Sequence, residues 1–265
     1  MLFRSRAPMV RRVTSLSRVQ GFGVDIGGSG IKGCVVDLDK GELVGDRVRI
    51  PTPQPALPDP VYGVVADIVG QFGWEGRIGV TYPGVMKHGV AFTAANMDHS
   101  WIGTDMAVGL EGVIPGTVQT LNDADAAGIA EMAYGAGRGE RGLVLMLTFG
   151  TGIGSALFID GQLVPNTEFG HIEVDGADGE KAASAAARER EGLSWPAWAK
   201  RVDRYLDTLE MSLWADLVIV GGGVSKKAEK WVPHLSTRTR VVPAQLLNDA
   251  GIVGAALAAE QHIGQ

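Results

Sequence analysis

One plan is written twice in this chain. "GFGVDIGGSGIKGCVVDLDKG", residues 21 to 41, runs as an apolar strand, a turn almost free of side chains, a second apolar strand and a hairpin turn. More than a hundred residues later, "LMLTFGTGIGSALFIDG", residues 145 to 161, follows the same order. A single glycine-rich hairpin is ordinary. Two with the same flanking order point to a chain of two similar halves that close on something bulky and charged.

The surrounding pattern extends that plan. Residues 19 to 50 read as a three-stranded meander, "VQGFGVDI", "IKGCVVDL" and "LVGDRVRI". The proline-rich "PTPQPALPDP" connects it to a helix beginning at Pro60, and a short strand, "RIGVTYPG", breaks into a loop-rich region. "GTVQTLNDADAAGIAEMAYGAG" is a strand feeding directly into a helix. A second meander follows over about 142 to 165, then a polar region, helices over roughly 181 to 191 and 195 to 213, and a buried-type strand ending at Gly221-Gly222-Gly223. A helix, a short strand and an Ala-rich helix from Ile252 close the chain. The fold class is α/β, two mixed-sheet lobes around a cleft. The expected division is a basic tail over 1–19, a first lobe over 20–121, a second over 122–250, and a helix over 251–265 returning towards the first.

Bare turns hold phosphate well, because backbone N–H groups reach its oxygens once side chains are out of the way. Gly27, Gly28, Ser29 and Gly30 form one candidate cradle; Gly150, Thr151, Gly152 and Gly154 form the other. Neither is a Walker loop, since Lys32 follows Ile31 without the Gly-Lys-Ser/Thr ending. The dinucleotide fingerprint also fails, because Gly21 and Gly23 are not followed by a third glycine in place. Asp25 ends an otherwise apolar strand, where a carboxylate holds Mg²⁺ beside a phosphate chain or simply caps the turn.

Asn122 and Asp123 stand where an apolar strand becomes a helix. They suit helix capping. A carboxylate at that junction, facing a cleft, also suits removal of a proton from a hydroxyl, and phosphoryl transfer asks little more of a protein. Asp125 is the competing base, on another face of the helix. In "PNTEFGHIEV", Glu168 and His171 are candidate readers of ring hydroxyls, with a structural histidine as the alternative. "AANMDHSW" offers Asn96 and Asp98 as polar fingers and Trp101 as an apolar surface.

Composition narrows the class. A net charge of −6 argues against general nucleic-acid binding, and no apolar run is long enough to span a bilayer. The single cysteine, Cys34, excludes an internal disulfide and a multi-cysteine zinc site, consistent with a cytoplasmic protein. The first twenty residues differ: five arginines and no acidic residue. That composition fits a tail without function, an organellar transit peptide, an arm for polyanions, or translation that truly starts at Met9.

"VDIGGSGIKG", "LNDADAAG", "LTFGTGIGSALFIDG", "EFGH" and "VGGGVSKK", in this order, resemble the ROK (repressor, ORF, kinase) family, and within it the polyphosphate-using glucokinase branch. The resemblance runs from about Phe22 to Leu257. It implies the actin-like ATPase fold (hexokinase-type, ribonuclease H-like), a homodimer, and transfer of a phosphoryl group from polyphosphate, and from ATP, to the 6-hydroxyl of glucose. It further implies Asp123 as the base, Asn96, Glu168 and His171 on the sugar with Asp98 and Asn122 beside them, and Asp25 near Mg²⁺. Gly150 to Gly152 and Gly221 to Gly223 would border the donor. Many ROK kinases follow Glu-x-Gly-His with a cysteine-rich zinc motif. Here "IEVDGADGEKAASAAARERE" replaces it, so no zinc is expected, and either Glu173 or Glu180 completes the sugar site.

Polyphosphate has no base to stack, so its affinity must come from cations along a groove. Lys226, Lys227 and Lys230 follow the glycine triplet, and Lys32, Arg201 and Arg204 are candidates to extend the track. The competing functions are an ATP-only kinase for glucose or mannose, a sugar-sensing regulator of the same family, and a sugar-binding module without turnover. Twenty residues ahead of the fold cannot hold a DNA-binding helix-turn-helix, and Asp123 argues against the module.

Overall fold

The computed structural model of the chain describes residues 19–95 and 97–264. Residues 1–18 of the basic tail, and Asn96, therefore lie outside the described residues. The first sheet begins with β1 (Gln20–Gly27) and β2 (Gly30–Asp37), antiparallel and joined through Gly28 and Ser29. The expected third strand is two short ones, β3 (Glu42–Leu43) and β4 (Val48–Ile50), each paired with β2. The intervening "VGD", exposed and with φ +83° at Gly45, cannot continue a ladder.

Helix α1 (Pro58–Phe72) starts two residues before Pro60, with Pro58 at its first position. It buries Val61, Tyr62, Val65, Ile68 and Val69, an i, i+4, i+7 stripe, and stops at left-handed Gly73. β5 (Ile78–Tyr82) is parallel to β1. A small hairpin, β6 (Met86–Lys87) and β7 (Val90–Ala91), and helix α2 (Met106–Glu111) precede β8 (Val118–Asn122), which is parallel to β5. Helix α3 (Asp123–Tyr134) starts at the next residue.

The second sheet repeats the first. β9 (Leu143–Phe149), β10 (Ile153–Ile159) and β11 (Gln162–Val164) form a meander. After the β12 (Glu173–Val174) and β13 (Ala177–Asp178) ribbon come α4 (Gly179–Ala183), α5 (Ala185–Arg190) and α6 (Trp195–Ser212). β14 (Leu217–Gly221) then adds parallel to β9, and β15 (Arg240–Pro243) parallel to β14. Strand order is β3-β2-β1-β5-β8 in one sheet and β11-β10-β9-β14-β15 in the other. The duplication inferred from two turns is thus a duplication of topology.

The last helix, α7 (Ala250–Gln261), fits because glycines stand at its closest crossings, in the sheet on one side and in α7 itself on the other. Gly23 and Gly79 are partners in adjacent strands, and a Cβ on either would collide with the carbonyl of Ile252 or Ala255. On the opposite side, Gly254 crosses the Ala126 carbonyl of α3 equally closely. Helix and sheet meet at backbone distance, which bulkier residues would forbid.

A buried acid locks the far end of α3. Glu131, fully buried, accepts the N–H groups of Gln245 and Leu246 on Oε1, at 2.8 and 2.7 Å, and of Ala136 on Oε2 at 2.8 Å. Glu131→Ala leaves these three donors without their acceptor and is expected to cost about 3 kcal/mol or more. Glu131→Gln keeps one acceptor oxygen and should lose less; urea midpoints of the two variants check the order.

Candidate active site

The first glycine turn is braced from outside and underlined by a carboxylate. Thr52 Oγ1 donates to the Gly27 carbonyl, Gln54 to Gly28 at 3.3 Å and Arg49 to Ser29 at 3.1 Å. The guanidinium of Arg49 lies across Gly30, in space a Cβ would need. Gly28 and Ser29 stay exposed. Behind them, Asp25 accepts Lys32 Nζ on Oδ2 and Thr81 Oγ1 on Oδ1, both at 3.0 Å. The Thr81 hydroxyl also accepts the Ile26 N–H at 3.2 Å. Two residues into α7, Gly251 abuts the Asp25 carboxyl so closely that a Cβ would press on it.

Asn122 and Asp123 divide the work at the strand–helix junction. The helix cap is Asn122, whose Oδ1 accepts the N–H groups of Ala124 (2.8 Å) and Asp125 (3.0 Å) while its Nδ2 donates to the Gly84 carbonyl at 3.0 Å. Its Oδ1 is thus committed to the cap, while Nδ2 gives one of its two hydrogens to Gly84. Asp123 keeps one local bond, from the Ala124 N–H to Oδ1 at 2.8 Å. Burial, then the charge of Asp25, then that of Glu168 push its carboxyl up to about 7. The electrostatics thus tie together the acid under the first turn, the acid at the junction and the acid of the "EFGH" segment.

Asp125, the competing base, is almost wholly buried, yet close enough to Asp123 and Glu168 for both their charges to add to the effect of burial. Its Oδ2 accepts the Asn166 N–H at 2.8 Å, and desolvation pushes its carboxyl up to about 7 as well. Asn166, left-handed at φ +58°, also clasps Met86 with both ends of its amide, accepting Met86 N–H and donating to Met86 O at 2.8 Å each. The segment leading to Glu168 is thereby fixed to the corner after β5.

The second glycine turn carries exposed Gly150 and Thr151. The Gly150 N–H donates to Gly152 O, and the Ala186 N–H donates to Gly150 O, both at 3.0 Å. Gly221, at the end of β14, pairs with Thr148, and Gly222 (φ +79°) lies where any Cβ would strike the Phe149 carbonyl. The glycine triplet therefore sits against the strand that leads into the second turn. A 3-10 segment over Gly223–Lys230, broken at Lys227, follows it in place of the expected helix and leaves Gly223, Lys226, Lys227 and Lys230 exposed. Arg201 and Arg204, the candidates to extend this track, are each paired with an acid. Arg201 pairs with Glu191 at 2.5 Å, and Arg204 grips Asp175 with Nε and Nη2.

Glu168 is partly buried, which raises its carboxyl above the usual range, with His171 opposing and Glu180 adding to the shift. The bond between His171 Nδ1 and Asp178 Oδ2, 3.1 Å, holds His171 above the ordinary histidine value. Glu180 accepts the Ile153 N–H at 3.1 Å and so touches the second turn, whereas Glu173 is exposed on β12. Asp98 caps a 3-10 turn over His99–Trp101, accepting the Ser100 N–H at 2.9 Å, a bond that lowers its carboxyl. Trp101 corrects the expectation of an apolar surface. It is fully buried against Tyr62 and Tyr82, with Nε1 donating to Ala56 O at 2.7 Å.

Sequence reasoning passed over Thr81, Asp178, Asn166, Arg49, Thr52 and Gln54. Thr81 had a signal, a small polar residue in the fully buried strand "IGVTY". The others are polar residues in polar stretches, and only tertiary placement distinguishes them.

Residues 21–190 match the ROK family profile. The chain belongs to the ROK family. It is 57% identical over 239 residues, 90% of each chain, to the polyphosphate glucokinase of Mycobacterium tuberculosis. It is 53% identical to that of Mycobacterium leprae over 248 residues, 93% of this chain and 76% of that one. Among solved structures, the inorganic polyphosphate/ATP-glucomannokinase of Arthrobacter sp. strain KM superposes with a TM-score of 0.88 at 50% identity, covering 92% of this chain and 99% of that one. A ROK glucokinase of Streptomyces griseus, in complex with glucose and AMPPNP, superposes at 0.76 with 25% identity, covering 92% and 100%. These ROK sugar kinases share the actin-like ATPase fold of this chain. No helix among the described residues is long and apolar enough to cross a membrane.

Proposed function

We propose that this ROK protein is a polyphosphate-glucose phosphotransferase that also accepts ATP, working as a cytoplasmic homodimer with Mg²⁺. The single observation that carries the reading is the placement of Asp123: a carboxyl raised to about 7 by burial, by Asp25 beneath the first glycine turn and by Glu168 from the "EFGH" segment. An acid poised near neutrality, between a phosphate-type cradle and a hydroxyl-reading set, matches what phosphoryl transfer to an alcohol requires. The identity to polyphosphate glucokinases over 90% of the chain supports polyphosphate as donor.

In this mechanism Glu168, His171 and Glu180 read the sugar hydroxyls, with Asn96, Asp98 and Asn122 around them. They aim the 6-hydroxyl at Asp123, which takes its proton as the oxygen attacks. The amides of Gly27, Gly28, Ser29 and Gly30 face those of Thr151 and Gly152 across the phosphates. Beside them is Gly150, whose own N–H is held by Gly152 O. Lys32, paired with Asp25, adds a cation. Asp25, a hard oxygen donor beneath the first turn whose oxygens accept Lys32 and Thr81, suits Mg²⁺ better than a soft metal. Asp25 would hold Mg²⁺ directly or through water. When bound, the ion offsets negative charge on the transferring phosphates.

Glucose 6-phosphate formation with Mg²⁺ and polyphosphate or ATP as sole donor tests the reading; absence of product with both donors rejects it. The donor track has its own test. Lys226→Ala/Lys227→Ala is expected to lower kcat/KM with polyphosphate roughly tenfold and with ATP much less, the polyphosphate rate falling steeply with added salt. Equal losses with both donors would remove the lysines from the track.

A further inference from the structure

The carboxylate of Glu180 touches both halves of the site. Glu180 lies in the first turn of α4, and its own N–H is held by Asp178 Oδ1 at 3.2 Å. On one side its Oε2 accepts the Ile153 N–H, the amide that leaves the second glycine turn. The same oxygen lies over Gly152, in the space where a Cβ would stand, so the turn is bare there to admit this acid. On its other side are the candidate sugar readers. Ligand-type atoms of His171, Asp178 and Glu180 all lie within 4.8 Å of one another. The charge of Glu180 also reaches Glu168 and His171, raising both.

A carboxylate seated on an amide of a phosphate-cradling turn works against that turn. It holds the Ile153 N–H, the amide next to the cradle, and its negative charge repels the incoming anion. A sugar hydroxyl offers the same carboxylate a different donor. We propose that Glu180 couples the two substrate sites. Without sugar it holds the Ile153 amide and keeps the donor turn negative; with sugar it bonds the hydroxyls and leaves that amide to the donor phosphate.

The inference rests on the phosphotransferase reading and adds a purpose to it. Asp123 can deprotonate water as well as an alcohol. In that side reaction the water oxygen forms the new P–O bond, the phosphoanhydride bond breaks, orthophosphate and the shortened donor leave, and the proton passes through Asp123 to solvent. A donor turn that is weak until sugar arrives suppresses this loss. Glu180 is, for the donor, a positioning residue that acts through the Ile153 amide.

The experiment is a calorimetric titration of AMPPNP with Mg²⁺ into the full chain, with and without saturating glucose, repeated for Glu180→Gln and Glu180→Ala. Glucose should tighten analogue binding to the unaltered chain by about tenfold or more. Both variants should bind the analogue without glucose more tightly than the unaltered chain does, with the glucose effect largely gone. Phosphate release from polyphosphate in the absence of glucose should rise about tenfold in both. Because the decisive reading is taken without sugar, it survives a loss of glucose affinity in the variants. Glucose-independent analogue binding by the unaltered chain, or an undiminished glucose effect in the variants, overturns the coupling while leaving the kinase intact. Failure of the unaltered chain to bind glucose and analogue at all overturns the phosphotransferase reading, and the coupling with it.

Discussion

Asp123→Asn is expected to lower kcat about 10³-fold with either donor while leaving sugar affinity nearly unchanged. The amide keeps the volume and the Ala124 contact but cannot accept the proton of the 6-hydroxyl. In the unaltered chain, kcat/KM should climb as pH rises through about 7, the value to which burial, Asp25 and Glu168 push this carboxyl. The variant's residual rate should lack that limb. The same carboxyl sets a stability trend. Its folded value lies above that of an unfolded aspartate, about 4, so the unfolded chain releases this proton first. The fold therefore loses stability from this group as pH rises from about 4 to about 7, and the loss stays constant above. Asp123→Asn should accordingly be more stable than the parent at pH 8, with the gap closing near pH 4. Urea midpoints at several pH values, beside steady-state rates, read both effects from one set of samples. A variant with parental turnover would dismiss Asp123 as the base.

Gly79→Val is expected to abolish folding, at a cost of about 4 kcal/mol or more. The strand itself would welcome valine, for every residue from Ile78 to Tyr82 is buried in the sheet. The obstacle is α7, whose Ala255 carbonyl occupies the place of the new Cβ, with Gly23 and the Ile252 carbonyl in the same relation next door. Neither the helix backbone nor the sheet can withdraw without opening the other contact. Soluble yield, circular dichroism and thermal melting report the result. Gly63→Ala is the control: in the exposed interior of α1, with open space around its Cβ, it should stabilise by roughly 0.5–1 kcal/mol.

Features set by local chemistry could be read from the chain, and those set by distant partners could not. The β1–β2 and β9–β10 hairpins announce themselves through alternating apolar strands and turns that need bare backbone, so their registers follow from the sequence. The junction at Asn122 and Asp123 was legible because polar residues follow an apolar strand at the point where a helix begins. The break between β3 and β4 was hidden, since "LVGDRVRI" has the apolar spacing of one strand and only its pairing with β2 reveals two. Trp101 looked available beside Asn96 and Asp98, yet its ring completes the cluster of Tyr62 and Tyr82, residues 39 and 19 positions earlier. Arg201 and Arg204 looked like free cations because Glu191 and Asp175, which engage them, lie in other elements. Thr81 and Asn166 escaped notice for the same reason.

The seat of α7 has a consequence for biosynthesis. The strand that opens the described fold is roofed by the helix that ends it, about 220 residues later. At cellular rates of about 5–20 residues per second, that interval is roughly 10–50 s, during which the glycine floor of the leading half stands uncovered on the ribosome. A nascent chain of this design has no finished half to rely on, and a stop codon shortly before Ala250 would strand both halves together.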